Sequence, residues 1–291
     1  MGKNNAAVLS IFSNSLLIIF KFSAGLLIGS VSVISEAIHS SIDLIASFIA
    51  YFSIKKASKA EDYEHPFGHG KYENLSGFVE AMLIFLAAAL IIFESVKKII
   101  CGSNIEAVGP GLLVMGIAAL VNLFISLTLK KIAQKTNSIA LEADGAHLFT
   151  DVITAFGVFL GLLLVKITGI KIIDPITAVI VGFLIIKTSI DLTKKSMKDL
   201  VDSKLSDEDI NKLLIIINSH KEIKGYHNLR TRQCGNEKQI DIHLNVDRNS
   251  SLIQAHDICD IIEKEINNVF PKSYIVIHAE PETQKKQLPE I

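Results

Sequence analysis

Two stretches share one spelling, His39-Ser40-Ser41-Ile42-Asp43 and His147-Leu148-Phe149-Thr150-Asp151. Each sets an imidazole and a carboxylate four residues apart, which on a helix places them on one face. Both sit in long apolar runs, where each Asp costs on the order of 2.5 to 3.5 kcal/mol to insert into a bilayer. Together the pairs offer two nitrogen and two oxygen ligands, a set that suits a tetrahedral divalent cation. Such a shell leaves no fixed position for water, which favours binding and passage over hydrolysis. Without Cys or Met the set excludes Cu(I) and favours Zn²⁺, with Co²⁺, Fe²⁺, Ni²⁺, Mn²⁺ and Cd²⁺ as rivals. Protons compete with a metal for the same atoms, so exchange of metal for protons is the expected release chemistry.

A second cluster is Asp62, His65 and His69 in Glu61-Asp62-Tyr63-Glu64-His65-Pro66-Phe67-Gly68-His69-Gly70-Lys71. Pro66 and the two glycines bend this loop, so its ligands can converge without a regular helix. A third is His227, His243, His256, His278 and Glu280 near the C-terminus. His278 and Glu280 lie two apart on an expected strand and share a face with one another.

The elements that must hold these residues follow from hydropathy. The chain has 291 residues, 49% of them hydrophobic, and a mean hydropathy of +0.42. Apolar residues crowd the first two thirds, where six stretches are long enough to span a bilayer: 6–28, 31–52, 75–96, 109–129, 139–165 and 173–192. Turn formers separate them, Gly29-Ser30, Gly102-Ser103 with Gly109-Pro110, and Gly169 before Asp174-Pro175. The N-terminal run has no small-residue processing site before the next span and reads as a retained first helix. Most lysines, among them Lys3, Lys55, Lys56, Lys130, Lys131 and Lys194, fall on one side of a six-span arrangement. The positive-inside rule makes that side, and both termini, cytoplasmic.

The remainder reads as a soluble α+β domain. Ser206 before three acidic residues caps a helix to about 219. Strands are expected at 226–233 and 239–246 around Cys234-Gly235-Asn236, then a helix at 252–270, a strand at 274–279 and a polar tail. The order is αββαβ. Three cysteines without a CxxC form no disulfide framework. A net charge of −1, with no basic stripe, excludes nucleic acid as a partner.

To about Pro281 the chain resembles the cation diffusion facilitator family, and most closely its bacterial zinc/proton antiporters. The resemblance rests on the paired H-x-x-x-D spellings, on His65-Pro66-Phe67-Gly68-His69-Gly70-Lys71, and on His227-Asn228-Leu229-Arg230-Thr231-Arg232. It implies an α-helical membrane protein, not an enzyme: six transmembrane helices (1–203) and a metallochaperone-like cytoplasmic domain (204–283), ahead of a tail at 284–291. It implies a homodimer in a bacterial inner membrane that exports zinc against protons by alternating access. His39, Asp43, His147 and Asp151 would form the transport site, and Asp62, His65 and His69 a loop site. His227, His243, His256, His278 and Glu280 would hold regulatory Zn²⁺, and Lys71 with Asp202 would form a hinge between the two parts.

Two residues depart from the family pattern: His39 stands where bacterial relatives often have Asp, and Glu280 where Asp is usual. The first makes the site richer in nitrogen, favouring zinc over harder cations. The rival readings are a non-transporting metal sensor, which leaves the buried acids unexplained, and a membrane metallohydrolase, for which no HExxH exists. Lys21, Glu36, Glu80 and Glu94 are polar residues in or near the spans without an assigned role.

Overall fold

The computed structural model describes residues 2–29, 31–101, 111–235 and 237–282. Ser30, the expected turns at Gly102-Ser103 and Gly109-Pro110, Asn236, and the tail 284–291 lie outside the described residues. The chain divides into two compact units, Met1–Met197 and Lys198–Ile291.

The first unit is helical: α1 (Lys3–Ile28), α2 (Val31–Ala57), α3 (Lys71–Cys101), α4 (Gly111–Thr136), α5 (Ile139–Thr168) and α6 (Ile173–Leu200, whose last turn passes into the second unit). Among the described residues, six helices are long and apolar enough to cross a membrane. Most run past the apolar stretches because their ends carry polar turns, such as Lys55 and Lys56 closing α2. Helices α1 and α5 end on glycines in the left-handed region, Gly29 and Gly169. The Ser138 side chain accepts from the Leu141 backbone N–H at the start of α5.

Two apolar cores hold the bundle. Ala6, Ala7, Ile54, Ile125, Leu129, Leu141 and Leu148 join α1, α2, α4 and α5. Ala81, Ile84, Ala88, Ile185 and Leu192 join α3 to α6. Where helices touch, small residues let backbones approach. A Cβ on Gly145 of α5 would lie 3.2 Å from Leu129 Cβ and 3.3 Å from the Ser126 carbonyl of α4.

The second unit has the expected order: α7 (Asp207–Ser219), β1 (Ile223–Cys234), β2 (Glu237–Val246), α8 (Leu252–Val269) and β3 (Ser273–Pro281). The sheet order is β1-β2-β3, with β1 antiparallel and β3 parallel to β2. A parallel pair needs a crossover, and α8 supplies it. Alternation along β2 separates two faces. Ile240, Ile242 and Leu244 pack against Leu213 and Ile217 of α7 and Ile262 and Ile266 of α8. The opposite face carries the polar residues.

Candidate metal-binding sites

Register builds the cytoplasmic group. His227 of β1 is the cross-strand partner of His243 of β2, which is in turn the partner of His278 of β3. Three imidazoles therefore form one row across the sheet, with ring centroids 5.0 and 4.7 Å apart. Two residues beyond His278, Glu280 lies over this row. Its carboxylate is 2.9 Å from His243 Nδ1, 3.3 Å from His227 Nε2 and 3.4 Å from His278 Nε2. Ligand atoms of His227, His243 and Glu280 all lie within 4.8 Å of one another. His256 is not in this row: it is exposed on α8, near Asp260 at 3.7 Å. Helix α8 covers the apolar face of the sheet and cannot present His256 to the histidine row of the same chain.

The loop between α2 and α3 gathers Asp62, His65 and His69. Asp62 Oδ1 accepts the backbone N–H groups of His65 at 2.8 Å and Glu64 at 3.1 Å, which folds the loop on itself. The His65 backbone N–H, more than any other group, holds the Asp62 carboxyl below the usual carboxylate range. His69 is buried, and its Nδ1 faces the Ala60 carbonyl at 3.2 Å. A carbonyl only accepts, so Nδ1 carries a hydrogen. The ring's Nε2 has no hydrogen-bond partner and stands 3.4 Å from Asp62 Oδ2.

In the helical unit, Asp43 of α2 and His147 and Asp151 of α5 form a third group with ligand atoms within 4.8 Å. His147 Nε2 is 2.9 Å from Asp43 Oδ1, and both residues are buried. Asn122 of α4 donates to Asp151 at 3.4 Å. His39 lies outside the group and is exposed. It sits one turn, about 6 Å of rise, before Asp43.

Other buried polar residues surround this group. Lys21 of α1 reaches Glu36 at 3.1 Å and the Ser40 hydroxyl at 2.7 Å. Asp144 of α5 accepts from the Ser47 hydroxyl at 3.0 Å. Glu80 is buried and accepts from Ser76 at 3.3 Å, while Glu94 is exposed. Nearer the helix ends, Glu73 of α3 pairs with Lys3 and accepts from the Ser138 hydroxyl, tying α1, α3 and α5. Lys195 of α6 bonds Glu142 of α5 at 2.5 Å. Ser47 and Asp144 each lie one helical turn from a ligand: Ser47 comes four residues after Asp43, and Asp144 three before His147. That spacing is the signal the sequence offers for them. Lys71 lies in the first compact unit and Asp202 in the second.

Comparison with known proteins accounts for nearly the whole chain. The family model for the cation efflux transmembrane domain matches residues 7–201, and that for the cation efflux protein cytoplasmic domain matches 205–282. Protein p34 of Rickettsia prowazekii is 31% identical over 277 residues, covering 95% of this chain and 92% of the relative. An uncharacterized transporter of Synechocystis is also 31% identical, over 94% of this chain and 89% of its own length. The cation-efflux pump FieF of Klebsiella pneumoniae is 31% identical over 278 residues, 96% of this chain and 92% of the pump.

Proposed function

The chain belongs to the cation diffusion facilitator family of cation efflux transporters, and from that premise we propose that it exports Zn²⁺ from the cytoplasm in exchange for protons. The observation that carries this reading is the group of Asp43, His147 and Asp151, drawn from two membrane helices, with Asp43 and His147 buried. An ion held there bonds side chains from α2 and α5 at once, so binding is coupled to how those helices sit against each other. His39, exposed and one turn from Asp43 on the same side of α2, is the proposed fourth ligand and reaches an ion there only by turning toward the group. Nitrogen with carboxylate oxygen favours zinc, with Fe²⁺, Co²⁺, Ni²⁺, Cd²⁺ and Mn²⁺ as alternative cargo. Two carboxylates balance one dication, and protons take the vacated atoms on the return.

In this reading the loop group and the cytoplasmic row hold metal that stays with the protein. His227, His243, His278 and Glu280 bind it on one protomer, with His256 contributing across a homodimer, and Lys71 with Asp202 forms the hinge. The protein lies in a bacterial inner membrane with both termini in the cytoplasm.

The test is metal-dependent proton flux in proteoliposomes across Zn²⁺, Cd²⁺, Mn²⁺, Fe²⁺, Co²⁺ and Ni²⁺. An imposed pH gradient drives zinc movement, and Asp43→Ala abolishes it. Zinc flux indifferent to the gradient would rule out exchange, and a preference for another metal would rule out zinc as cargo.

A further inference from the structure

Two antiparallel helices lay out the transport group in layers. Asp43 of α2 faces His147 of α5 at 2.9 Å. One turn along, Ser47 of α2 faces Asp144 of α5 at 3.0 Å. This second layer lies toward the end of α2 that carries Lys55 and Lys56. Helix α1 completes it: Asn14 Nδ2 donates to Ser47 Oγ at 2.8 Å, and Ser10 Oγ is 3.0 Å from the same hydroxyl. All four residues are buried, at 0% exposure for Ser10, Ser47 and Asp144 and 3% for Asn14.

The direction of these bonds matters. Asn14 donates to Ser47, and Ser47 spends its one hydrogen on Asp144 Oδ1. The carboxylate is thus held in place by its Oδ1. Its Oδ2 is buried and has no hydrogen-bond partner. Buried polar atoms are rarely left in that condition. The layer holds no imidazole and no thiolate; it offers hydroxyl, amide and carboxylate oxygen, the donors that suit a cation still carrying water.

We propose that Asp144, positioned by Ser47, is a capture site for the cargo dication, which binds Asp144 Oδ2 with part of its hydration shell before passing to Asp43, His147 and Asp151. This inference rests on the reading of that group as the transport site. The layer adds a carboxylate on the lysine-bearing side, where a cytoplasmic ion enters. It predicts an effect on how readily metal loads rather than on whether it is carried.

The experiment is initial-rate zinc flux in proteoliposomes of the full-length protein, with Asp144→Asn, Asp144→Glu, Ser47→Ala and Asp43→Ala compared at several zinc concentrations. Asp144→Asn raises KM about tenfold, with a smaller fall in kcat. Asp144→Glu returns KM to within about threefold of the parent, and Ser47→Ala raises it about threefold by freeing the carboxylate to wander. Repeating the series with Mn²⁺ gives a larger KM ratio than with Cd²⁺, because an oxygen site discriminates by hardness. Unchanged KM in Asp144→Asn, or a fall confined to kcat that Asp144→Glu fails to restore, overturns the inference. Should Asp144→Asn not fold, Ser47→Ala decides: an unchanged KM there overturns the inference equally. Flux retained by Asp43→Ala instead overturns the transport-site reading, whatever Asp144 does.

Discussion

Two of the three histidine-bearing groups are built on different principles. On the cytoplasmic sheet, strand register alone sets His227, His243 and His278 in one row, and each residue is partly or well exposed. In the membrane unit, Asp43, His147 and Asp151 come from two helices packed with α1 and α4, which bury Asp43 and His147 and leave Asp151 partly exposed. A row on a sheet is fixed by backbone hydrogen bonds and survives changes in side-chain packing. A group between helices exists only while the helices remain in place. In the proposed reading, the first arrangement suits holding metal and the second releasing it.

The strongest way to break this contrast is to remove one ligand from each group. Asp43→Ala lowers zinc flux by more than about 100-fold while metal binding by the cytoplasmic domain is unchanged, read by flux and by equilibrium dialysis. His243→Ala weakens cytoplasmic binding by at least about tenfold but leaves flux at saturating zinc within a few-fold. Equal loss of flux in both variants would erase the distinction.

Packing gives the next effect. Gly145→Ala puts a methyl 3.2 Å from Leu129 Cβ and 3.3 Å from a carbonyl, close to His147 in the chain. It costs about 1–3 kcal/mol of stability and lowers flux, measured by thermal unfolding in detergent and by transport. Gly116→Ala on α4 meets nothing within 4 Å and is silent in both assays. A silent Gly145→Ala would show that the helix group tolerates movement as the sheet does.

The smallest effect sharpens the sheet side. Burial opposes ionisation of Asp209, but Lys238 at 2.7 Å overrides it and brings the carboxyl below its usual range. A depressed carboxyl stabilises the fold fully above its unfolded value, about 3.9. That contribution disappears as pH falls through the lower folded value. Asp209→Asn therefore removes less than about 1 kcal/mol at neutral pH and flattens the acid end of the stability profile, read by unfolding at pH values of about 7 and below about 4.

Much of this architecture is legible from periodicity. Helix α7 runs over 207–219 as its acidic first turn and serine cap predict, and alternation along β2 places Ile240, Ile242 and Leu244 opposite His243. Hydropathy reveals the spans but not their polar ends, because Lys and Glu turns dilute the apolar signal. Pairing across strands is not legible: nothing local says that His227 falls opposite His243 when a register shift intervenes before Arg230. Lys21 and Glu36 stand fifteen residues apart, yet α2 packs back along α1 so that they meet. Ser47 and Asp144 escape a reading by motif because a serine and a lone aspartate lack the distinctive spelling of their neighbours.

Short links between helices restrict how the membrane unit can move. Helices α1 with α2, and α4 with α5 across residues 137–138, pack as two helical hairpins. Asp43 belongs to one hairpin, His147 and Asp151 to the other. Metal coordination tolerates only about ±0.2 Å in bond length. Sliding one hairpin past the other by about one ångström would therefore loosen the grip on an ion, turning a small shear into a large change in affinity.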